Sequence, residues 1–168
     1  MSNVITFSRV FPKYHPRAGE PTYFVEKIWE SIGLPDKGYS FNSPDEYMNF
    51  IRGDSAVIFE KHHTIRKGNR WKVGDKFSPR IWSGKPYQSK QIIIAPDIEI
   101  KKVWDIEIIN QKIIINGVYF GEYAKGFYDD NVTTLANNDG LSLIDFENWF
   151  GDKFFQGQII CWNDNIKY

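Results

Sequence analysis

The part of the chain that most restricts its possible folds runs from 56 to 116, where short segments rich in β-branched and aromatic residues follow one another. Two of these segments, Ile98–Ile109 and Lys112–Asn116, are separated only by Asn110-Gln111, and this spacing predicts a tight β-hairpin. The other segments that predict strands are Val4–Phe11, Ala56–Glu60, His63–Arg66, Lys76–Trp82, Lys90–Ala95 and Phe154–Trp162. Many short strands with few helices indicate a small barrel rather than a layered α/β sheet.

Helices are expected before and after these strands. Ser43 is followed by Pro44 and Glu46, a capping box that predicts a helix start, and Gly53 ends that helix. The helices predicted by these and similar signals begin at Pro21, Ser43, Val132 and Ser142. The sequence therefore predicts an α+β, mainly β domain in which residues 20–53 form a helical addition on the N-terminal side.

Composition limits the class of protein. A chain of 168 residues with 42% hydrophobic residues is large enough for one domain with its own core, spanning 1–168. No stretch is apolar enough to cross a membrane and the N-terminus lacks the layout of a signal peptide, so a soluble cytoplasmic protein without a membrane partner is expected. Cys161 is the single cysteine, which excludes an internal disulfide, and it lies in an apolar segment typical of inert core.

Charge is balanced overall but not along the chain. Lys plus Arg equal Asp plus Glu at 21 each, so affinity for a nucleic acid requires a local patch. Residues 61–76 contain six cations and only Asp75 as an anion, whereas residues 126–152 contain six anions and no Lys or Arg. Two solvated patches of opposite sign explain this equally well. If the fold brings the segments together, a carboxylate can lie beside a Lys in a cleft.

The cationic segment contains a motif. Lys61, Thr64 and Arg66 are followed by a loop that ends in Lys72-Val73-Gly74-Asp75, and this pattern resembles the ASCH domain, a PUA-like β-barrel family. The family motif has a Gly two residues before the Lys, where this chain has Phe59. A second similarity is the segment Asn138–Ser142. The resemblance covers about 55 to 162 and implies a small PUA-like β-barrel with added helices on the N-terminal side and one late helix.

The resemblance also implies a ligand class. PUA-like barrels commonly bind RNA, and some small bacterial ASCH proteins hydrolyse the amide of N4-acetylcytidine with a Lys, a Thr and an acidic residue. Carried over, these roles fall on Lys61, Thr64 and Asp139, although the acid is usually Glu, which is one methylene longer. In such a set, Lys can activate the Thr hydroxyl and the carboxylate can pass a proton to the leaving amine.

Strand geometry limits how these residues can meet. Residues three apart on a regular strand point to opposite faces, so Lys61 and Thr64 converge only if Lys61 precedes the strand or a bulge intervenes. Otherwise Thr64 is an ordinary β-branched strand residue, and Lys61 and Arg66 are solvated charges at a strand edge.

The alternative to catalysis is binding alone. Arg66, Lys67, Arg70 and Lys72 can contact phosphates, while Trp71, Trp82 or Tyr87 can stack on an unpaired base, although Trp71 equally suits the core. The neutral net charge favours a short or single-nucleotide ligand. His15, His62 and His63 lack metal-ligand spacing, so neither a metal nor another cofactor is expected. We expect a nucleobase or nucleoside, free or within RNA, to bind in a cleft lined by Lys61, Thr64, Arg66 and Asp139, with amidohydrolysis as the alternative.

Overall fold

The computed structural model describes residues 3–34, 60–124 and 129–168. Its nine strands, in chain order, are β1 (Asn3–Thr6), β2 (His63–Lys67), β3 (Lys76–Trp82), β4 (Gln91–Ile93), β5 (Ile98–Glu99), β6 (Lys102–Ile109), β7 (Lys112–Ile115), β8 (Val118–Glu122) and β9 (Phe155–Cys161). Its helices are α1 (Phe24–Ser31), α2 (Asp130–Asn138) and α3 (Leu143–Phe150). The helix expected from Ser43 to Gly53 and the strand expected from Ala56 lie outside the described residues, apart from Glu60, which is not in a strand.

The strands form two sheets. In the first, β3 pairs with β1 in parallel and with β4 and β5 in antiparallel fashion. The second is antiparallel throughout, in the order β2-β9-β6-β7-β8. The prediction of an α+β, mainly β fold is confirmed. Within the described residues neither sheet closes on itself, and the strands occupy two separate sheets.

The long strand expected over Ile98–Ile109 is divided between the two sheets. Ile100 is fully buried and its N–H donates to the carbonyl of Asp75, whereas the N–H of Lys101 donates to the carbonyl of Cys161. The chain therefore leaves the first sheet at Ile100 and enters the second one residue later. This crossing was not predicted because both halves have the same apolar composition.

The predicted hairpin between β6 and β7 is confirmed. Asn110 and Gln111 have φ values of 47° and 66°, which suit the tight turn that matches the twist of two antiparallel strands. A second turn of this kind at Asn116-Gly117, with φ values of 48° and 78°, leads into β8. The strand β8 was not predicted.

The helix starts follow their capping residues. Ser142 accepts a hydrogen bond from the N–H of Asp145, as expected for the late helix, and Asp129 caps α2 through the N–H groups of Asn131 and Val132. The residue at the N-cap of α1, Tyr23, has a φ of 57° and makes no side-chain capping bond. None of the described helices has the length and apolarity needed to cross a membrane.

The core lies between the sheets and against the helices. Fully buried residues include Phe77, Ile106, Ile113, Phe146 and Ile159. Trp71, one of the candidate stacking residues, belongs to this core: it is 4% exposed, and its ring lies 6.2 Å from that of Phe77 at 75°. Its backbone N–H donates to Gln158 Oε1 at 3.0 Å, and its carbonyl accepts from Gln158 Nε2.

Candidate functional site

A cavity of about 680 Å³ opens where β1, the start of β2 and the start of α1 meet. Lys61, Thr64, Arg66 and Asp139 all line it, so the structure brings together the four residues that the sequence assigned to one cleft. Much of the rest of its wall is aromatic and comprises Phe7, Tyr23, Phe24, Trp82, Tyr87, Trp149 and Phe150. A polar end and an aromatic wall are therefore present in the same cavity.

Lys61 reaches the cavity because it precedes the strand. β2 begins at His63, and Lys61 instead forms an isolated antiparallel bridge with Asp139. The bridge is held by the N–H of His62, which donates to the carbonyl of Asn138 at 2.8 Å. Of the two arrangements that allow Lys61 and Thr64 to converge, the chain uses the one in which Lys61 lies outside the strand.

Lys61 and Asp139 form a buried ion pair. Lys61 Nζ donates to Asp139 Oδ1 at 2.7 Å and to the carbonyl oxygen of the same residue at 2.6 Å. The two side chains are 2% and 8% exposed, and the ammonium lies 4.2 Å from the centre of the Phe24 ring. Burial lowers the pKa of Lys61 against the opposing effect of Asp139. Burial alone would raise the pKa of Asp139, but the Lys61 ammonium holds it below its ordinary value.

Thr64 and Arg66 form a second polar unit in the same wall. Arg66 Nε donates to Thr64 Oγ1 at 3.2 Å, and Arg66 Nη2 donates to the carbonyl of Thr6 at 2.7 Å. The guanidinium lies 5.2 Å from the centre of the Phe7 ring. Thr64 is 4% exposed, and its hydroxyl accepts from Arg66 rather than exchanging a hydrogen bond with Lys61. Among the described residues the Thr64 hydroxyl donates to no acceptor, so its proton can be donated to a ligand.

The His63 side chain lies next to the Asp139 carboxylate. His63 Nε2 forms a hydrogen bond of 2.7 Å with the Tyr168 hydroxyl, which also accepts from Asn138 Nδ2 at 2.9 Å. The other ring nitrogen, His63 Nδ1, faces Asp139 Oδ1 at 3.5 Å and has no hydrogen-bond partner among the described residues. Burial lowers the pKa of His63, so the ring is neutral in the native protein.

The cationic loop after β2 lies elsewhere. Lys67, Arg70 and Lys72 are exposed and do not line the cavity, and the Arg70 guanidinium instead stacks 4.6 Å from the centre of the Trp71 ring. Trp71 itself is core. Of the six residues predicted to bind a ligand, Arg66 and Trp82 line the cavity and the other four do not.

Several wall residues were not predicted. Tyr23, Phe24 and Glu26 from the start of α1 and Arg9 from the segment after β1 line the cavity. Behind this wall, Lys27 Nζ donates to the carbonyl of Gly140 at 2.7 Å, and burial together with the neighbouring Lys61 ammonium lowers its pKa to about 8. No motif marks these residues; only the apolar stripe that predicted α1 indicated that this helix packs on the strands.

Within the described residues no group of three or more His, Cys, Asp or Glu side chains is placed to hold a metal ion. Comparison of the chain with protein-family models, curated proteins and solved structures finds no match. An assignment of function therefore depends on the chemistry of the cavity.

Proposed function

We propose that the cavity binds a nucleobase or nucleoside. The observation that supports this most directly is the combination, in one cavity, of an aromatic wall with four polar side chains that can read the edge of a heterocycle. Sites for small molecules generally have this composition, mostly apolar with a few placed polar groups. Bases are recognised in proteins by stacking on aromatic rings and by hydrogen bonds to their edges.

The size of the cavity favours a single nucleoside over an RNA strand. About 680 Å³ falls within the range of about 300–1,000 Å³ found for small-molecule sites. A strand of RNA would need a basic track leading out of the cavity. The nearest candidates in sequence, Lys67, Arg70 and Lys72, do not line it.

The stacking surface is formed by Trp82 and Tyr87. Their ring centres lie 5.2 Å apart at an angle of 49°, and both residues line the cavity. Tyr87 is 86% exposed, so it is positioned at the mouth, where a base can enter beside it. A tilted pair at the mouth can bind one base against either ring.

The motif resemblance supports the same ligand class. It relates the residues of the cavity's polar end, Lys61, Thr64, Arg66 and Asp139, to the motif positions of ASCH domains, with a PUA-like barrel as the implied architecture. In this proposal the two sheets correspond to an opened form of that barrel, with α1 covering one side of the cavity.

The test is a binding titration with cytidine and the other common nucleosides, followed by calorimetry. Trp82→Leu removes half of the stacking pair, and because stacking on an aromatic ring contributes about 1–3 kcal/mol per base, we expect affinity to fall about fivefold to 150-fold. Arg70→Ala, in the exposed loop outside the cavity, is the matched control and should bind as the wild type does. Absence of binding for every nucleoside would contradict the proposal.

The second candidate function is hydrolysis of an N4-acylated cytidine. It is favoured by the 2.7 Å hydrogen bond between Lys61 Nζ and Asp139 Oδ1. Transfer of a proton along this bond gives a neutral amine and a carboxylic acid. The amine can then remove the proton of Thr64, whose Oγ1 attacks the acyl carbon, while Asp139 gives its proton to the departing N4 amine. Water then releases the acyl group from Thr64.

This candidate is tested by following deacylation of N4-acetylcytidine with the wild type, Lys61→Ala and Asp139→Ala, with circular dichroism to verify folding. Thr64→Ser retains the hydroxyl and should retain activity, whereas Thr64→Val should abolish it. Activity that survives in Thr64→Val would exclude the acyl-threonine route. Binding without turnover in the wild type would leave the cavity as a binding site only.

A further inference from the structure

The charged side chains that line the cavity have a net positive charge. Its cations are Arg9, Lys61 and Arg66, and its carboxylates are Glu26 and Asp139. Lys61 and Asp139 neutralise each other across 2.7 Å. Among the described residues Arg66 forms no ion pair with a carboxylate. Both of its hydrogen-bond acceptors are neutral oxygens.

The Arg66 guanidinium is positioned to bind an anion. The bonds from Arg66 to Thr64 Oγ1 and the Thr6 carbonyl fix the plane of the group. A guanidinium has more N–H donors than these two bonds use, and Arg66 lines the cavity. Removing a cation from water without a counter-charge is unfavourable, and an anionic ligand supplies the missing charge. Arginine matches the oxygens of phosphate and carboxylate groups through paired N–H donors.

The N-terminal end of α1 also favours an anionic ligand. Tyr23, Phe24 and Val25 line the cavity; the N-cap residue Tyr23 makes no side-chain capping bond, and the N–H of Phe24 donates instead to Thr22 Oγ1 at 3.3 Å. The N-terminal end of a helix has a partial positive charge, which adds to that of Arg66. Glu26 in the first turn reduces this effect, and the cavity still has one more cation than carboxylates.

We propose that the ligand of the cavity is a nucleoside 5′-monophosphate, whose phosphate group is bound by Arg66 while its base stacks on the aromatic wall. This inference rests on the proposed function and specifies the ligand class. The volume of about 680 Å³ leaves room for a phosphate beside a nucleoside. A free nucleoside would leave the Arg66 charge uncompensated, whereas a monophosphate neutralises it.

Calorimetric titration of cytidine 5′-monophosphate and cytidine into the wild type and Arg66→Gln tests this assignment. Hydrogen bonds between the charged Arg66 side chain and the phosphate strengthen binding. We therefore expect the monophosphate to bind the wild type about tenfold to hundredfold more tightly than cytidine does. Arg66→Gln should remove this difference, so that cytidine and its monophosphate bind the variant with equal affinity. Arg70→Gln deletes an exposed cation outside the cavity and should bind both ligands as the wild type does.

The outcomes separate this inference from the proposed function. Equal affinities for cytidine and its monophosphate in the wild type would overturn the phosphate assignment and leave nucleoside binding intact. Tighter binding of a cytidine oligonucleotide than of the monophosphate would also overturn it, in favour of RNA. If neither small ligand binds, the proposed function fails as well. Should Arg66→Gln not fold, Arg66→Lys preserves the charge without paired donors and should weaken binding of the monophosphate more than binding of cytidine.

Discussion

Replacement of Lys61 by Met tests the buried ion pair on which the polar end of the cavity depends. Met fills a similar volume but leaves the Asp139 carboxylate, 8% exposed, without the ammonium at 2.7 Å. Removing one member of a buried ion pair costs about 3–5 kcal/mol, because the other charge remains buried and uncompensated. For a chain of 168 residues this lowers the unfolding temperature by about 6–20 °C.

The stability lost in Lys61→Met should depend on pH, because His63 lies beside the Asp139 carboxylate. In the wild type burial lowers the pKa of His63, so its contribution to stability is present above the unfolded value of about 6.5 and is lost as the pH falls. In Lys61→Met the unpaired carboxylate lies 3.5 Å from His63 Nδ1 and favours the imidazolium, which raises the pKa of His63 in the folded state. Because the folded variant then binds a proton at His63 more readily than the folded wild type does, the stability lost in Lys61→Met should become smaller as the pH falls.

The assay is urea unfolding followed by tryptophan fluorescence at about pH 6 and about pH 8. The free energy of unfolding of Lys61→Met should lie closer to that of the wild type at the lower pH. Asp139→Asn leaves Lys61 with only the backbone carbonyl of residue 139, and the double variant should cost less than the sum of the two single changes. Lys101→Met, which breaks the exposed pair with Glu99 at 2.9 Å, is the control and should leave the unfolding midpoint unchanged.

Two results would refute this reasoning. One is an equal loss of stability for Lys61→Met at both pH values, which would show that His63 does not respond to Asp139. The other is a double variant whose cost equals the sum of the single variants within about 0.5 kcal/mol, which would show that the two charges do not interact.

Three further predictions concern the surroundings of the site. In Gly157→Ala the new Cβ would lie 2.1 Å from the Arg66 carbonyl oxygen, so urea unfolding should show a loss of about 1–3 kcal/mol as β2 moves from β9. Tyr168→Phe removes the hydroxyl that His63 and Asn138 share, and the same assay should show a loss of about 1–3 kcal/mol. Burial raises the pKa of Cys161 to about 11, so a thiol reagent at about pH 8 should label it only after unfolding, and rapid labelling of the native protein would contradict its burial.

The parts of the fold that could be predicted are those determined by neighbouring residues. The β6–β7 hairpin follows from a two-residue turn between apolar segments, and α3 follows from its Ser142 cap. The division of the strands into two sheets could not be predicted, because it depends on contacts between distant segments. β1 pairs with β3 across more than seventy residues, and no local signal specifies that partner.

The site, like the fold, was predicted only in part. Lys61 and Asp139 were assigned to one cleft from two short motifs and the separation of charge along the chain, and the structure places them in contact. Lys67, Arg70 and Lys72 were predicted to contact phosphates of a ligand because they follow Arg66 in a cationic segment, and none of them lines the cavity. β2 ends at Lys67, and a strand advances about 3.3 Å per residue, so the chain has passed the cavity before the loop begins.

The length of Asp139 illustrates why a motif has to be evaluated together with its backbone. Aspartate is one methylene shorter than the glutamate that the resemblance to ASCH domains leads one to expect here, which suggests a carboxylate too far from the lysine. In this chain the antiparallel bridge between Lys61 and Asp139 brings the two main chains together, and the residue that follows is Gly140, with a φ of 78°. A Cβ on Gly140 would lie 3.1 Å from Lys61 Cβ. The close approach that glycine allows recovers the reach that the shorter side chain lacks, so the Lys61 ammonium binds both the carboxylate and the carbonyl of Asp139.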